Sequence, residues 1–243
     1  MSAQGEPEYL SFEEALQQMA EQIVNAQSPP AAGAEPEPFI PTARFTTSVS
    51  AFDDDWLASL YGSIQITEKI TLTTELDSNG YLGLGAGYSF FFKRSYIEPY
   101  LSYGRSDLLD LYDAGMFGAY ILSPKWTAFG FTTHQWRDTT FLPLLAPKLF
   151  NQTEWITTLG VNYDFAEWGD VDLTVNHYRL LSGNRGINEV ANDNITSLSV
   201  GLNSSLEPVE PFVRFTVGEH RVRPGDPVLT ESSIEFGIRL ATN

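Results

Sequence analysis

A histidine beside a serine can open an ester, because the hydroxyl is a weak nucleophile until a base takes its proton. The stretch NHYRLLSGNRGINEVANDN, residues 176 to 194, offers one such pair, His177 and Ser182. The bland alternative for His177 is an interfacial ring beside Arg179, whose long stem can reach toward charged headgroups. A second pattern is a set of charges at alternate positions: Glu75, Glu98, Glu154, Asp164, Glu210, Arg214, Glu235 and Arg239. Each lies opposite apolar neighbours in the period-two pattern of a strand. Around a bore, such charges select solutes, and rings of Asp and Glu favour cations. In a narrow, filled interior they would instead be a network of paired charges. Arg214 and Arg239 fall on neighbouring segments close to Glu210 and Glu235.

Other chemistry has little support. With no Cys, neither a disulfide nor a thiolate metal site can form. The three His show no HExxH spacing, there is no phosphate-binding Gly-rich loop, and GLGAG sits inside a strand pattern with no helix after it. No metal or cofactor is expected. His134 and His220 near Asp138 and Asp226 are a weak protease-like pattern, since acids are abundant throughout. The chain carries 31 Asp and Glu against 14 Lys and Arg, a net charge of −17. Nucleic-acid binding is therefore not expected, because it relies on Lys and Arg neutralising phosphates.

The elements that must position these residues are strands. From about residue 42 onward, apolar and polar residues alternate in segment after segment. In ITLTTELD, Ile70, Leu72, Thr74 and Leu76 oppose Thr71, Thr73, Glu75 and Asp77. About twelve such segments occur, near 43–51, 57–66, 69–77, 80–91, 95–104, 112–122, 125–135, 153–164, 169–179, 194–204, 209–218 and 231–241. The sixth and seventh, DAGMFGAYIL and KWTAFGFTTHQW, are apolar on both faces, so their inward parity stays open. Turns after even-numbered segments are short, as in TEK, FKRS, SPK, AEWGD and SSLEP. The remaining connections include the long ones: GRSDLLDLYD, RDTTFLPLLAPKLFNQ, SGNRGINEVAND and GEHRVRPGDPVLT.

Residues 1 to 41 differ. LSFEEALQQMAEQIVNAQ has helical spacing, with Leu16, Met19 and Ile23 on one stripe, and Ser11 with Glu14 as a capping box. A Pro-rich acidic linker follows. The stripe fits a short amphipathic helix acting as a plug, or as a partner-binding arm spanning residues 10 to 26. The start, MSAQGEPEYL, lacks the basic residues and apolar core of a signal peptide, so a mature form is expected. No run reaches the ~18 apolar residues of a membrane-spanning helix.

Strands near the ~9–11 residues that cross a bilayer, aromatic residues at their ends and connections sorted by length over residues 42 to 243 resemble the Gram-negative outer-membrane β-barrel class. The closing SIEFGIRLATN is similar to the terminal strand such proteins present for assembly, although it ends in Asn243. The resemblance implies an all-β, closed antiparallel barrel of about 12 strands in the bacterial outer membrane, in contact with lipid and lipopolysaccharide. Its apolar face would meet lipid and its polar face a lumen. A water-soluble all-β protein would turn the same pattern inside out. Barrels of this class include acyl hydrolases that resemble a His-x-Ser-Asn pattern on one strand face, from which His177 and Ser182 depart by their five-residue separation. The expected function is a passive small-solute channel with residues 1 to 41 on the periplasmic side. An outer-leaflet hydrolase and a scaffold that holds a periplasmic protein are the alternatives.

Overall fold

Period-two alternation has a direct consequence in three dimensions: each segment becomes a strand with one polar and one apolar face. A computed structural model describes residues 41–52, 55–107, 109–139, 151–183, 194–206, 208–221 and 230–242. The helical stripe with Leu16, Met19 and Ile23, and most of the apolar stretch 139–150, lie outside these residues.

The strands are β1 (Thr42–Phe52), β2 (Asp55–Gln65), β3 (Ile70–Asp77), β4 (Leu82–Tyr88), β5 (Phe90–Phe92), β6 (Ser95–Arg105), β7 (Leu109–Ser123), β8 (Trp126–Thr139), β9 (Gln152–Ala166), β10 (Gly169–Ser182), β11 (Asn194–Ser204), β12 (Val209–Gly218) and β13 (Ser233–Thr242). Each pairs antiparallel with its neighbours, β1 pairs with β13, and β4 and β5 both pair with β6. The two short segments β4 and β5 are one stave interrupted at Ser89. Among the described residues the result is a closed barrel of twelve staves with no free sheet edge. Closure satisfies the backbone in hydrocarbon, where an unpaired N–H or C=O has no water to turn to.

The outer face is apolar. Leu72, Leu84, Leu101, Leu159, Val200 and Phe236 are between 43% and 66% exposed. No outward position between the aromatic ends of the strands carries Asp, Glu, Lys or Arg. Aromatic rings gather at both ends. Trp56, Tyr103, Tyr112, Trp136 and Trp155 mark one level, and Tyr88, Phe92, Tyr120, Trp126 and Trp168 the other. Trp126 and Trp136 are ten residues apart on β8. At ~3.3 Å per residue and a ~40° tilt, that separation is a belt of roughly 25 Å, the height of a lipid-facing band.

The ends differ. Two-residue to four-residue turns close one end, after β2, β5, β7, β9 and β11. At the other end the connections after β8, β10 and β12 are long, while those after β1, β3 and β6 are tight. In the turn after β3, Asp77 accepts the amide N–H groups of Asn79 (2.5 Å) and Tyr81 (3.2 Å), and Gly80 takes a left-handed φ of 84°. The long loop expected around GRSDLLDLYD is not one. Leu109 and Leu111 extend β7 because both bury against Tyr81 inside the barrel, leaving only residues 106–108 as the connection.

The two ambiguous strands also resolve. On β7, Leu111, Asp113, Phe117 and Ala119 face inward, and on β8, Thr127, Phe129, Thr133, Gln135 and Arg137 do. Inward Phe117 and Phe129 join Tyr96 and Ala119 in a small apolar cluster, which is why both faces of these strands read as greasy.

Candidate functional site

The inward face is a charged wall whose composition changes around the circumference. On β2 to β7 the inward charges are Glu75, Glu98 and Asp113, with Asp55 and Asp77 at the rim, and no inward strand position there is Lys or Arg. The inward bases Arg137, Arg214, Arg239 and Arg44 all stand on β8, β12, β13 and β1.

Every charged residue expected on the lumen side holds an inward position in the register. Glu75, Glu98 and Glu154 are 6%, 3% and 2% exposed, and Arg239 is 7% exposed. Asp164 is open at the short-turn mouth, where its register partner is Asp170. Glu210 lies opposite Arg239 and Arg214 opposite Glu235. The second of these is an ion pair at 3.5 Å. Arg239 also stacks over the Phe212 ring at 4.4 Å and donates to Asn203 Oδ1 at 3.3 Å.

Two networks stand out. Near the short turns, the Asn203 amide donates to both Asp170 (2.7 Å) and Asp172 (3.1 Å), and Asn162 donates to Asp170. Toward the long loops, Glu154 accepts from two guanidinium groups. Arg137 Nη2 is 3.1 Å from Glu154 Oε2, and Arg221 Nη2 is 2.9 Å from Glu154 Oε1. Arg137 also donates to Gln135 and Gln152. Arg221 comes from the connection after β12, so this contact fastens the root of that connection to β9, three staves away. Neither Arg137 nor Arg221 stood out in the sequence. Arg137 continues the inward parity of β8 two residues past its expected end, whereas Arg221 falls outside any strand period.

Beside Arg221, buried His220 places Nδ1 at 2.8 Å from the Gly218 carbonyl and Nε2 at 2.8 Å from Ser233 Oγ. The carbonyl can only accept, so Nδ1 carries the proton and neutral Nε2 takes a hydrogen bond from Ser233. Burial pushes the His220 pKa below its usual value, and the Gly218 hydrogen bond offsets part of that.

Large inward side chains lie flat on inward glycines of neighbouring strands. A Cβ added to Gly104 would meet the Tyr81 ring, one on Gly115 the Tyr100 hydroxyl, and one on Gly87 the Glu98 carboxylate. Phe129 covers Gly160, Asp172 covers Gly201, and Phe212 covers Gly237 in the same way. The space beside Gly83, Gly85 and Gly87 is thus largely taken by wall side chains.

The alternative catalytic pair is not brought together. His177 faces outward, with Nδ1 at 3.0 Å from Thr196 Oγ1. Ser182 is exposed at the end of β10, past a register shift between Leu180 and Ser182. Five residues of strand separate the two by about 16 Å, far beyond a nucleophile–base hydrogen bond. Arg179 faces outward opposite Trp155, at the level of the aromatic girdle.

No family model matches the chain, and no curated protein is similar to it in sequence. Solved structures are similar in fold. The NanC porin shares 12% identity over 82% of this chain and 98% of its own, with a TM-score of 0.65. A KdgM porin in complex with disordered oligogalacturonate shares 12% over 83% and 99%, at 0.58. An outer-membrane channel from Pseudomonas putida F1 shares 12% over 88% and 99%, at 0.53. Closed twelve-stave topology, a lipid-type belt and these likenesses agree: the chain folds as a closed antiparallel β-barrel similar to those of outer-membrane porins.

Proposed function

We propose that the protein is a passive channel for small solutes across the bacterial outer membrane. The observation that carries this reading is how the wall is built. Twelve staves at ~4.8 Å spacing and ~40° tilt give a backbone radius of roughly 12 Å. Side chains projecting straight inward would fill much of that width. Here six of the larger ones lie along the wall over glycines, which favours a clear axis. The porin and channel folds to which the chain is similar support the same conclusion.

In this reading Glu75, Glu98, Glu154, Asp164, Glu210, Arg214, Glu235 and Arg239 are the wall charges whose field a solute meets. Their balance is acidic, which favours cations over anions. Residues 1 to 41, with Leu16, Met19 and Ile23, serve as a plug entering from the short-turn end, or as an arm that engages a periplasmic protein. Liposome swelling tests the channel directly. Vesicles carrying the protein are expected to swell in small neutral sugars and progressively less in larger ones. Swelling no faster than protein-free vesicles would overturn the reading.

A further inference from the structure

The structure assigns Ser233 and His220 as a nucleophile–base pair at the long-loop mouth of the bore, directed at the acyl group of small water-soluble esters. This activity goes beyond the channel reading, from which it borrows only access to the mouth.

The relation that His177 and Ser182 lack is present here. His220 Nε2 lies 2.8 Å from Ser233 Oγ, within the reach that lets a base take a hydroxyl proton. Its other ring nitrogen, Nδ1, donates to the Gly218 carbonyl at 2.8 Å. That second bond fixes the tautomer and turns the basic nitrogen onto the serine, the orienting role that a third group plays in such sites. Local backbone geometry accounts for the placement. Gly218 ends β12 at a left-handed φ of 96°, and a Cβ there would meet the Thr196 carbonyl oxygen at 2.8 Å. The bend carries His220 across to the start of β13, where Ser233 stands opposite Thr216.

The two members differ in exposure as their roles require. His220 is 4% exposed, whereas Ser233 is half-buried. Burial keeps the imidazole in its neutral, proton-accepting form. Ser233 shares the inward parity of Glu235 and Arg239 and sits at the long-loop end of β13, so a solute in the mouth reaches its hydroxyl. Arg221 follows His220 and is buried, with an Nε–H that has no hydrogen-bond partner among the described residues. A fixed guanidinium next to the pair favours the negative charge that develops on a carbonyl oxygen under attack.

In the first step Ser233 Oγ bonds to the ester carbonyl carbon while its proton passes to His220 Nε2. The bond from that carbon to the alcohol oxygen breaks, and the leaving alkoxide takes the proton. Water then attacks the acyl-serine through the same base, releasing the acid and restoring the hydroxyl. Bilayer phospholipid is not a substrate, because its esters lie against the outer face.

The full chain in detergent, incubated with para-nitrophenyl acetate and separately with phenylmethylsulfonyl fluoride, tests the pair whether or not the barrel conducts. Nitrophenolate release is expected above the Ser233→Ala background, with the sulfonyl adduct mapped to Ser233 by mass spectrometry. His220→Gln is expected to slow sulfonylation by about a hundredfold or more, the loss of a general base. Ser232→Ala is the control that keeps both rates. A heat-shifted gel band verifies that each variant is folded. A His220 that merely pins two strand ends would leave Ser233 as inert as any surface serine. No adduct on Ser233, equal nitrophenolate release from the wild-type and Ser233→Ala chains, or undiminished sulfonylation in folded His220→Gln would overturn the assignment. The loss of swelling activity with Ser233 reactivity intact would overturn the channel reading alone.

Discussion

Tyr81 lies across Gly104, with its hydroxyl in the space that a Cβ at residue 104 would fill. The pair stands on consecutive staves, because β4 pairs directly with β6. A glycine there is what lets a large ring lie along the wall. Gly104→Ala is expected to swing Tyr81 toward the axis and lower single-channel conductance by a measurable fraction. Adding Tyr81→Ala should restore it. Gly118→Ala is the control, since its Cβ would meet nothing closer than a backbone oxygen at 3.7 Å.

Glu154 is shared by Arg137 and Arg221 deep in the wall. Removing the one carboxylate leaves two buried guanidinium groups facing each other. Glu154→Gln is expected to cost about 3 kcal/mol or more of stability, read as a lowered urea midpoint in lipid vesicles. Arg221→Gln should cost less, because the Arg137 pair survives.

His220 is buried and neutral, with its pKa pushed down by loss of solvent. The unfolded chain, at the ordinary value near 6.5, binds a proton before the folded barrel does. Its contribution to stability is therefore complete above about pH 6.5 and declines as pH falls from there toward the lowered folded value. A His220→Gln variant should show a shallower fall in unfolding midpoint between pH 7 and 5 than the wild-type chain.

His177 forms a hydrogen bond with Thr196 on the outer face, away from Ser182. Replacing it with Ala is expected to shift the unfolding midpoint by no more than a few tenths of a kcal/mol. Release of fatty acid from phospholipid vesicles should match protein-free controls for both chains.

Much of this barrel was legible because one face of each strand must meet lipid. In β9 and β13, period-two alternation is clean: Trp155, Leu159 and Tyr163 face out and Glu154, Thr158 and Asn162 face in. The register then brings Arg214 to Glu235, as their spacing suggested. Elsewhere, interior packing blurred the pattern. Phe117 and Phe129 point inward to pack with Tyr96, so β7 and β8 look apolar on both faces. The break at Ser89 follows from a side chain drawn to Tyr96 and Glu98, which no local periodicity announces. Arg221 reaches a carboxylate 67 positions earlier, and such a contact depends on barrel closure rather than on neighbouring residues.

The most direct measurement is single-channel conductance in planar bilayers, for the full chain and for a chain lacking residues 1 to 40. Steady current steps in potassium chloride are expected, with a reversal potential that favours potassium over chloride. Steps seen only after truncation would identify the amino-terminal arm as a plug. Silence from both chains, each shown to be folded and inserted, would contradict the channel itself.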